Sequence, residues 1–326
     1  MEPKLSIAII TYNHERFISQ ALESILTQRV NFDYEIVIGE DCSTDGTQRV
    51  IEEFRQRYPE KINCIQKKRN VGAIRNFAET TSACRGKYVA FLEGDDYWAV
   101  TDKLQKQVDF LDAHSECAIC CGRVRALHET GTEGFDIPIR HEMVFPEMPA
   151  GTYTIEDILR GNFVMTCTMV LRRNLVGRFP KWFFNGKLGD WPLCAMVARG
   201  GSIELMDETL AIYRVHQGSG WSSLPEEVRL REAGNMLRAL DKELDYRYTN
   251  VVCHAVSPRY LQLAIKAREN GQRIKTGRYL LGCIRNGVLR LPIGLRLFGA
   301  DYSPKLLMSL AAYVLFGNSY KTFSRE

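Results

Sequence analysis

The chain has 326 residues, 45% hydrophobic and 25% charged, which is the composition of an ordinary soluble protein and long enough for one large α/β domain with an appendage. Its net charge of +4 is split: from Ser257 onward there are twelve Lys/Arg against three Asp/Glu, about +9, leaving about −5 for residues 1–256. Such a tail either meets something anionic or is a helical appendage with solvated Arg faces. The ten cysteines form no disulfide framework. Cys117, Cys120 and Cys121 lie in an apolar run without a second Cys/His pair at zinc spacing, so they read as small buried residues in a reducing compartment. No secretory signal is visible, and the longest uncharged stretch near the end, residues 306–320, is shorter than the ~20 apolar residues of a spanning helix, so a cytoplasmic location is expected.

In chain order, residues 5–10 (LSIAII) predict a first strand, ending at Thr11-Tyr12-Asn13-His14. A helix follows over about 16–28, with Phe17, Ala21, Leu22 and Ile25 at helical spacing. Residues 34–38 are a second strand leading into the polar loop 40–47 (EDCSTDGT), then a helix over 47–58 stopped by Pro59. Residues 62–66 are a third strand, a helix runs to about 83, and residues 88–92 are a fourth strand, apolar enough to lie in mid-sheet. Strand and helix alternate without hairpin turns, which requires crossovers and a parallel sheet.

At the end of the fourth strand stand Glu93, Asp95 and Asp96, with Gly94 allowing the tight turn. Open α/β sheets bind ligands at that edge. Three crowded acids either hold a hard divalent cation, Mg2+ or Mn2+, or form a solvated acidic turn. No G-x-G-x-x-G follows the first strand and no G-x-x-x-x-G-K-[ST] occurs, so neither a dinucleotide site nor the common NTPase phosphate loop is present.

Beyond residue 100 the pattern predicts a helix over 102–114, a strand over 118–124, an aperiodic loop over 131–151, a short helix over 154–160 and a strand over 163–171. Asp190-Trp191-Pro192 has the shape of an N-capped helix start. A last strand over 210–213 leads into Arg214-Val215-His216 and a Gly/Ser run. Helices are expected over 226–247, 258–270 and 273–289, and residues 291–298 and 305–316 are apolar with interspersed Arg and Lys. Those two segments fit an anionic membrane surface, a dimer contact or a helical cap on the catalytic domain.

The segments LSIAIITYN, EIVIGEDCSTDGT, NVGAIRN and FLEGDDYW, in this order and spacing, resemble the family 2 glycosyltransferases, inverting GT-A enzymes that use nucleotide sugars. The resemblance covers about residues 4–225. It implies a Rossmann-like mixed sheet flanked by helices over 1–225 and a basic helical appendage over 226–326. It also implies that Thr11, Tyr12 and Asn13 line the base pocket, with Tyr12 offering its ring or else packing on its own helix. Asp41 would accept a pyrimidine N–H, and Arg75 would approach base or phosphates unless it belongs to a solvated helix face. Glu93-Gly94-Asp95 stands where the family has D-x-D, with Glu93 one methylene longer than usual; Asp95 would be the metal ligand, Asp96 its neighbour, and Mn2+ or Mg2+ the cofactor. Thr166 and Thr168 would face the acceptor, and Asp190 would be the general base, outweighing its reading as a cap. Trp191 would pack under a sugar or brace the helix, His216 would touch metal or diphosphate, and Arg214 would neutralise phosphate.

The activity so implied is transfer of a hexosyl or N-acetylhexosaminyl group from a nucleotide sugar, UDP-linked by family habit, to a glycan or lipid-linked acceptor in surface polysaccharide synthesis. The rival is a non-catalytic nucleotide-sugar-binding scaffold of the same fold. No nucleic acid partner is expected, an oligomer is compatible, and the tail suits the inner face of the cell membrane.

Overall fold

The apolar runs at Leu5, Tyr34 and Tyr88 become the middle of a sheet because helices cover both faces, so nearly every residue in them is buried. The computed structural model describes residues 2–128, 144–216, 218, 220–221 and 223–287. The chain divides into two compact units, residues 1–158 with 162–223, and residues 159–161 with 224–326.

In the first unit β1 (Leu5–Thr11), α1 (Ile18–Leu26), β2 (Tyr34–Glu40), α2 (Thr47–Arg57), β3 (Ile62–Gln66), α3 (Ala73–Ala83) and β4 (Tyr88–Glu93) follow the predicted alternation. Helix α1 shows why: Ile18, Ala21, Leu22 and Ile25 form one stripe and all are fully buried. Each larger side chain of that stripe contributes about 1.5–3 kcal/mol over exposure. The rest of the unit comprises β5 (Tyr97–Trp98), α4 (Lys103–Ala113), β6 (Cys117–His128), β7 (Val144–Phe145), β8 (Gly151–Tyr153), α5 (Ile155–Arg160, its last two residues counted with the second unit), β9 (Val170–Arg172), α6 (Asp190–Val197) and β10 (Ser202–Val215).

Among the described residues these form one ten-stranded mixed sheet in the order β3-β2-β1-β4-β9-β6-β10-β5, with β7 on β6 and β8 on β10. Strands β3, β2, β1 and β4 are mutually parallel, β9 is antiparallel to both β4 and β6, and β10 is parallel to β6. Hence β1, β2, β4, β6 and β10 all end at the same sheet edge.

Three expectations are corrected. The strand expected over 163–171 is a 3-10 turn at Thr166–Thr168 followed by the short β9. Its carbonyls are taken by side chains instead of a ladder: Trp98 Nε1 donates to the Cys167 carbonyl (2.8 Å) and Gln107 Nε2 to that of Thr168 (2.9 Å). The last strand runs over Ser202–Val215, far longer than 210–213, because register shifts between Leu205 and Ala211 let a polar stretch stay paired with β6. Pro258 does not open a helix but lies inside one that runs over Thr249–Glu269. The loop expected over 131–151 falls largely outside the described residues, as do residues 291–298 and 305–316.

The second unit carries α7 (Glu226–Glu243), α8 (Thr249–Glu269) and α9 (Arg273–Gly287). Leu263, Ala264, Ala267, Tyr279 and Leu280 form its core, and Tyr279 donates to Glu227 (2.8 Å). Packing of this kind carries α8 through Pro258, whose missing N–H leaves the helix one bond short. No helix among the described residues is long and apolar enough to cross a membrane.

Candidate active site

The turn after β4 is forced by its surroundings. A Cβ at Gly94 would lie 2.6 Å from Thr11 Oγ1 and 2.9 Å from His14 Nδ1, so only glycine lets the acidic turn pass the end of β1. The turn delivers Asp95 to two imidazoles: its Oδ2 is 2.9 Å from His216 Nε2 and 3.8 Å from His14 Nε2. One ligand atom from each of His14, Asp95 and His216 falls within 4.8 Å of the others, the only such group of His, Cys, Asp or Glu among the described residues. Burial alone would raise the Asp95 carboxyl; the two imidazoles outweigh it and hold Asp95 below the usual carboxylate range. His14 is pushed down by burial, which favours the neutral imidazole a metal needs.

The donor set of one carboxylate and two imidazoles fits Mn2+ better than Mg2+, which prefers oxygen alone. Buried atoms without a hydrogen-bond partner cluster here: Thr11 Oγ1, His14 Nδ1, Glu93 Oε2 and Asp96 Oδ2. Such a concentration of unsatisfied groups is what a ligand or ion would relieve. The Gly218 N–H donates to His216 Nδ1 (3.2 Å), which leaves the proton on Nε2 facing Asp95. Ligation through Nε2 would take the other tautomer, with the proton on Nδ1 in place of the Gly218 contact.

Glu93 and Asp190 complete the acidic cluster. Burial, then the charges of Asp95 and Asp190, push the Glu93 carboxyl up to about 8. Asp190 is the first residue of α6, not its cap; it too is raised by burial, against the Trp191 N–H, Asn162 and Thr166. Asn162 Nδ2 (3.1 Å) and Thr166 Oγ1 (3.2 Å) both donate to Asp190 Oδ2. Thr166 also favours the charged form of Glu93, so acids from residues 93 and 190 share one neighbour. Burial and the charges of Asp95 and Glu93 raise Asp96 well above its ordinary value.

Other expected site residues are placed as follows. Tyr12 is 40% exposed at the rim. Asn13 is left-handed (φ 57°) and is spent on the 43–44 loop, its N–H donating to Ser43 Oγ and its Oδ1 accepting from the Thr44 N–H. Asp41, only 2% exposed, accepts from the N–H groups of Val71 (2.8 Å) and Gly72 (2.9 Å), the latter a glycine at φ 87°. In this structure Asp41 organises the 70–72 segment, and a nucleobase would have to reach a well-buried carboxylate. Arg75 is exposed on α3, 3.8 Å from Glu79 and over the Phe184 ring.

Thr168 is fully buried and donates to the Met165 carbonyl, which turns it from the surface an acceptor could reach. Trp191 is buried and its Nε1 donates to the Ile158 carbonyl (2.6 Å), the bracing arrangement of the two expected. Arg214 is also buried: its N–H donates to Asp96 Oδ1, its Nε to the Asp95 carbonyl and its Nη2 to Gln20, with the guanidinium over Phe17. It clamps the acidic turn from β10. Sequence reasoning assigned no role to His14 or Asn162; His14 stands three residues past the end of β1 and His216 one past β10, and only the shared sheet edge brings them together.

The sequence profile described as Glycosyl transferase family 2 matches residues 6–177. An uncharacterized Mycobacterium tuberculosis protein is 37% identical over 219 residues, covering 67% of this chain and 61% of that protein, so the match spans less than two thirds of the relative. TuaG of Bacillus subtilis, assigned to teichuronic acid biosynthesis as a glycosyltransferase, is 28% identical over 67% of this chain and 81% of its own. Among solved structures, Staphylococcus aureus TarS 1-349 in complex with UDP-GlcNAc superposes with a TM-score of 0.56 at 17% identity, covering 92% of this chain and 98% of that one. The mannosyltransferase PcManGT of Pyrobaculum calidifontis, in complex with GDP-Man and Mn2+, gives 0.55 at 14% identity over 100% and 89%. With the profile spanning over half its length on a mixed sheet of the GT-A kind, the chain belongs to the family 2 glycosyltransferases.

Proposed function

We propose that this protein is an inverting, metal-assisted glycosyltransferase that moves a hexosyl or N-acetylhexosaminyl group from a UDP-sugar to a hydroxyl of a glycan or lipid-linked acceptor in surface polysaccharide synthesis. The observation that carries the reading is the convergence of Asp190 and Asp95, from distant parts of the unit, on the Glu93 carboxyl, with Thr166 bonded to Asp190 and favouring the Glu93 carboxylate. TuaG and the UDP-GlcNAc complex of TarS support the substrate class.

Asp95, His216 and His14 would hold Mn2+ or Mg2+, which supplies charge compensation for the departing nucleoside diphosphate. Tyr12 offers its ring to the base, and Arg214 fixes the backbone that carries Asp95. Asp190, raised by burial, takes the acceptor hydroxyl proton as the oxygen attacks the anomeric carbon in line with the leaving group. Asn162 and Thr166 aim its carboxylate. One displacement inverts the anomeric centre.

The test is a panel of nucleotide sugars assayed for Mn2+-dependent hydrolysis and transfer, run with Asp190→Asn. The amide should lower turnover by about 10²–10⁴ while donor binding persists. Transfer at the parental rate in that variant would move the base elsewhere, and absence of turnover with every donor in the parent would favour a scaffold.

A further inference from the structure

Residues 173–189, which lead into Asp190, hold Arg173, Arg178, Lys181 and Lys187 and no Asp or Glu. Arg173 is spent on the Gly86 carbonyl (2.7 Å). The other three are exposed, and among the described residues no carboxylate pairs with them. Phe179, Trp182, Phe183 and Phe184 are interleaved with these cations. Phe183 is 1% exposed, its ring 4.7 Å from that of Phe179, and it anchors the 3-10 turn Lys181–Asn185. Phe184 beside it is 39% exposed. With three residues per turn, Lys181 and Phe184 lie along one edge of that turn. From α3 the Arg75 guanidinium stands 5.6 Å from the same ring, countered by Glu79 at 3.8 Å, a carboxylate that also pairs with Lys67. The stretch is tied to the candidate base. A Cβ at Gly189 would lie 3.2 Å from Phe77 and 3.6 Å from Ile74, the α3 residues on either side of Arg75. Lys187 is three residues from Asp190, so their Cα atoms are at most about 11 Å apart.

We propose that this strip is the acceptor surface for a glycan that carries carboxylates on its sugar rings, a uronic-acid oligomer. An exposed aromatic ring covers the apolar face of a pyranose, and the cations beside it meet a carboxylate on that sugar or the next. The interleaving selects the class. A polyol phosphate chain would satisfy the cations but has no ring to set on Phe184. A neutral glycan would use the ring and leave Lys181, Lys187 and Arg178 without a partner. The inference rests on the transferase reading in taking Asp190 as the base that the acceptor approaches, and it deepens that reading by naming the acceptor's charge.

The probes are end-labelled oligogalacturonate, a maltooligosaccharide of equal length and a glycerol phosphate oligomer of equal charge. Each is titrated by fluorescence anisotropy into the full chain in chelator, so that no divalent cation bridges the carboxylates. Oligogalacturonate should bind about tenfold tighter than either other probe, and added salt should narrow its lead over the neutral one. Lys181→Gln combined with Lys187→Gln should weaken it about tenfold, and Phe184→Leu should bring it level with the glycerol phosphate oligomer. Arg273→Gln with Arg278→Gln, exposed cations of the second unit, should leave it unchanged. A thermal shift with UDP and Mn2+ shows that each variant is folded, and the comparison of probes in the parent needs no variant. Oligogalacturonate binding no tighter than that of either other probe overturns the proposal. So does binding that survives the lysine changes or is lost with Arg273 and Arg278. In each case the UDP and Mn2+ shift persists and the transferase reading stands; a parent without that shift fails the transferase reading instead.

Discussion

From Leu5 to Glu93 the first unit is built by repetition, whereas from Tyr97 to Val215 the same sheet is built by exception. In the first stretch each strand is an apolar run, each helix has one buried stripe, and side chains reach the common edge because strands end there. In the second, side chains hold backbone that no ladder holds. Trp98 and Gln107 take the carbonyls of the 166–168 turn, Arg172 Nε donates to the Cys117 carbonyl (2.7 Å), and Trp191 secures Ile158. The difference has a functional sense. On the proposed reading the regular half and the turn that closes it carry Tyr12, Asp41 and Asp95, the groups of the nucleotide side. The irregular half carries Asp190 and Thr166 and is where an acceptor would be read.

The sharpest way to break this division is Asp95→Ala. If the regular half binds donor and cation, saturating UDP with Mn2+ stabilises the parent by about 2.7 kcal/mol at a hundredfold excess over Kd. The variant should lose that stabilisation entirely in a thermal melt. An unchanged shift would remove Asp95 from the metal site.

The second test concerns the cost of building by side-chain ties. Lys103 is fully buried over the Trp98 ring, its Nζ lacks a hydrogen-bond partner, and burial lowers it to about 7. The unfolded chain binds this proton up to its ordinary range, so between about pH 7 and 10.5 the unfolded state holds more protons and stability rises with pH. Lys103→Met should raise stability at pH 7 by about 1–3 kcal/mol and flatten that rise relative to the parent. Melts at pH 7 and 9 check both. A destabilised variant would show that Lys103 has a partner in solution.

The same contrast explains what was legible beforehand. Strand β3 was read to the residue and β1, β2 and β4 to within two, because a doubly buried strand writes itself as an apolar run. The 163–171 run looks equally apolar, yet the Thr168 hydroxyl satisfies the Met165 carbonyl locally and turns it. β10 hid because Glu204, Asp207 and Glu208 interrupt it. At the site, Asp95, Asp190 and His216 could be named from the family resemblance, but Arg214 as a clamp and His14 as their neighbour depend on β1 and β10 ending at one sheet edge, which no local pattern encodes.

Trp191→Phe separates bracing from sugar contact. The change keeps an aromatic ring but removes the donor to the Ile158 carbonyl together with part of the buried indole's volume. A cost of about 1–3 kcal/mol in chemical denaturation is expected, with acceptor KM unchanged. A raised KM at parental stability would return Trp191 to the sugar.

The smallest expected effect is the most specific, a shift in pH profile from Thr166→Val. Asp190 acts as a base only when ionised, so kcat/KM falls on the acid side as pH drops through its titration, and burial has moved that limb upward. The hydroxyl of Thr166, 3.2 Å from Oδ2, stabilises the carboxylate and so pulls the limb back down, as Asn162 does from 3.1 Å. Valine keeps the shape and removes the bond. The carboxylate loses more than the acid does, its affinity for a proton rises, and the limb should move to higher pH by about half a unit to one unit, one unit being 1.36 kcal/mol. Glu93 opposes part of this change, because it loses the same hydroxyl and carries less charge toward Asp190 as it too becomes easier to protonate. A limb that stays in place or moves to lower pH would mean that Asp190 is not the titrating base, and the irregular half would then have to present its base from another residue.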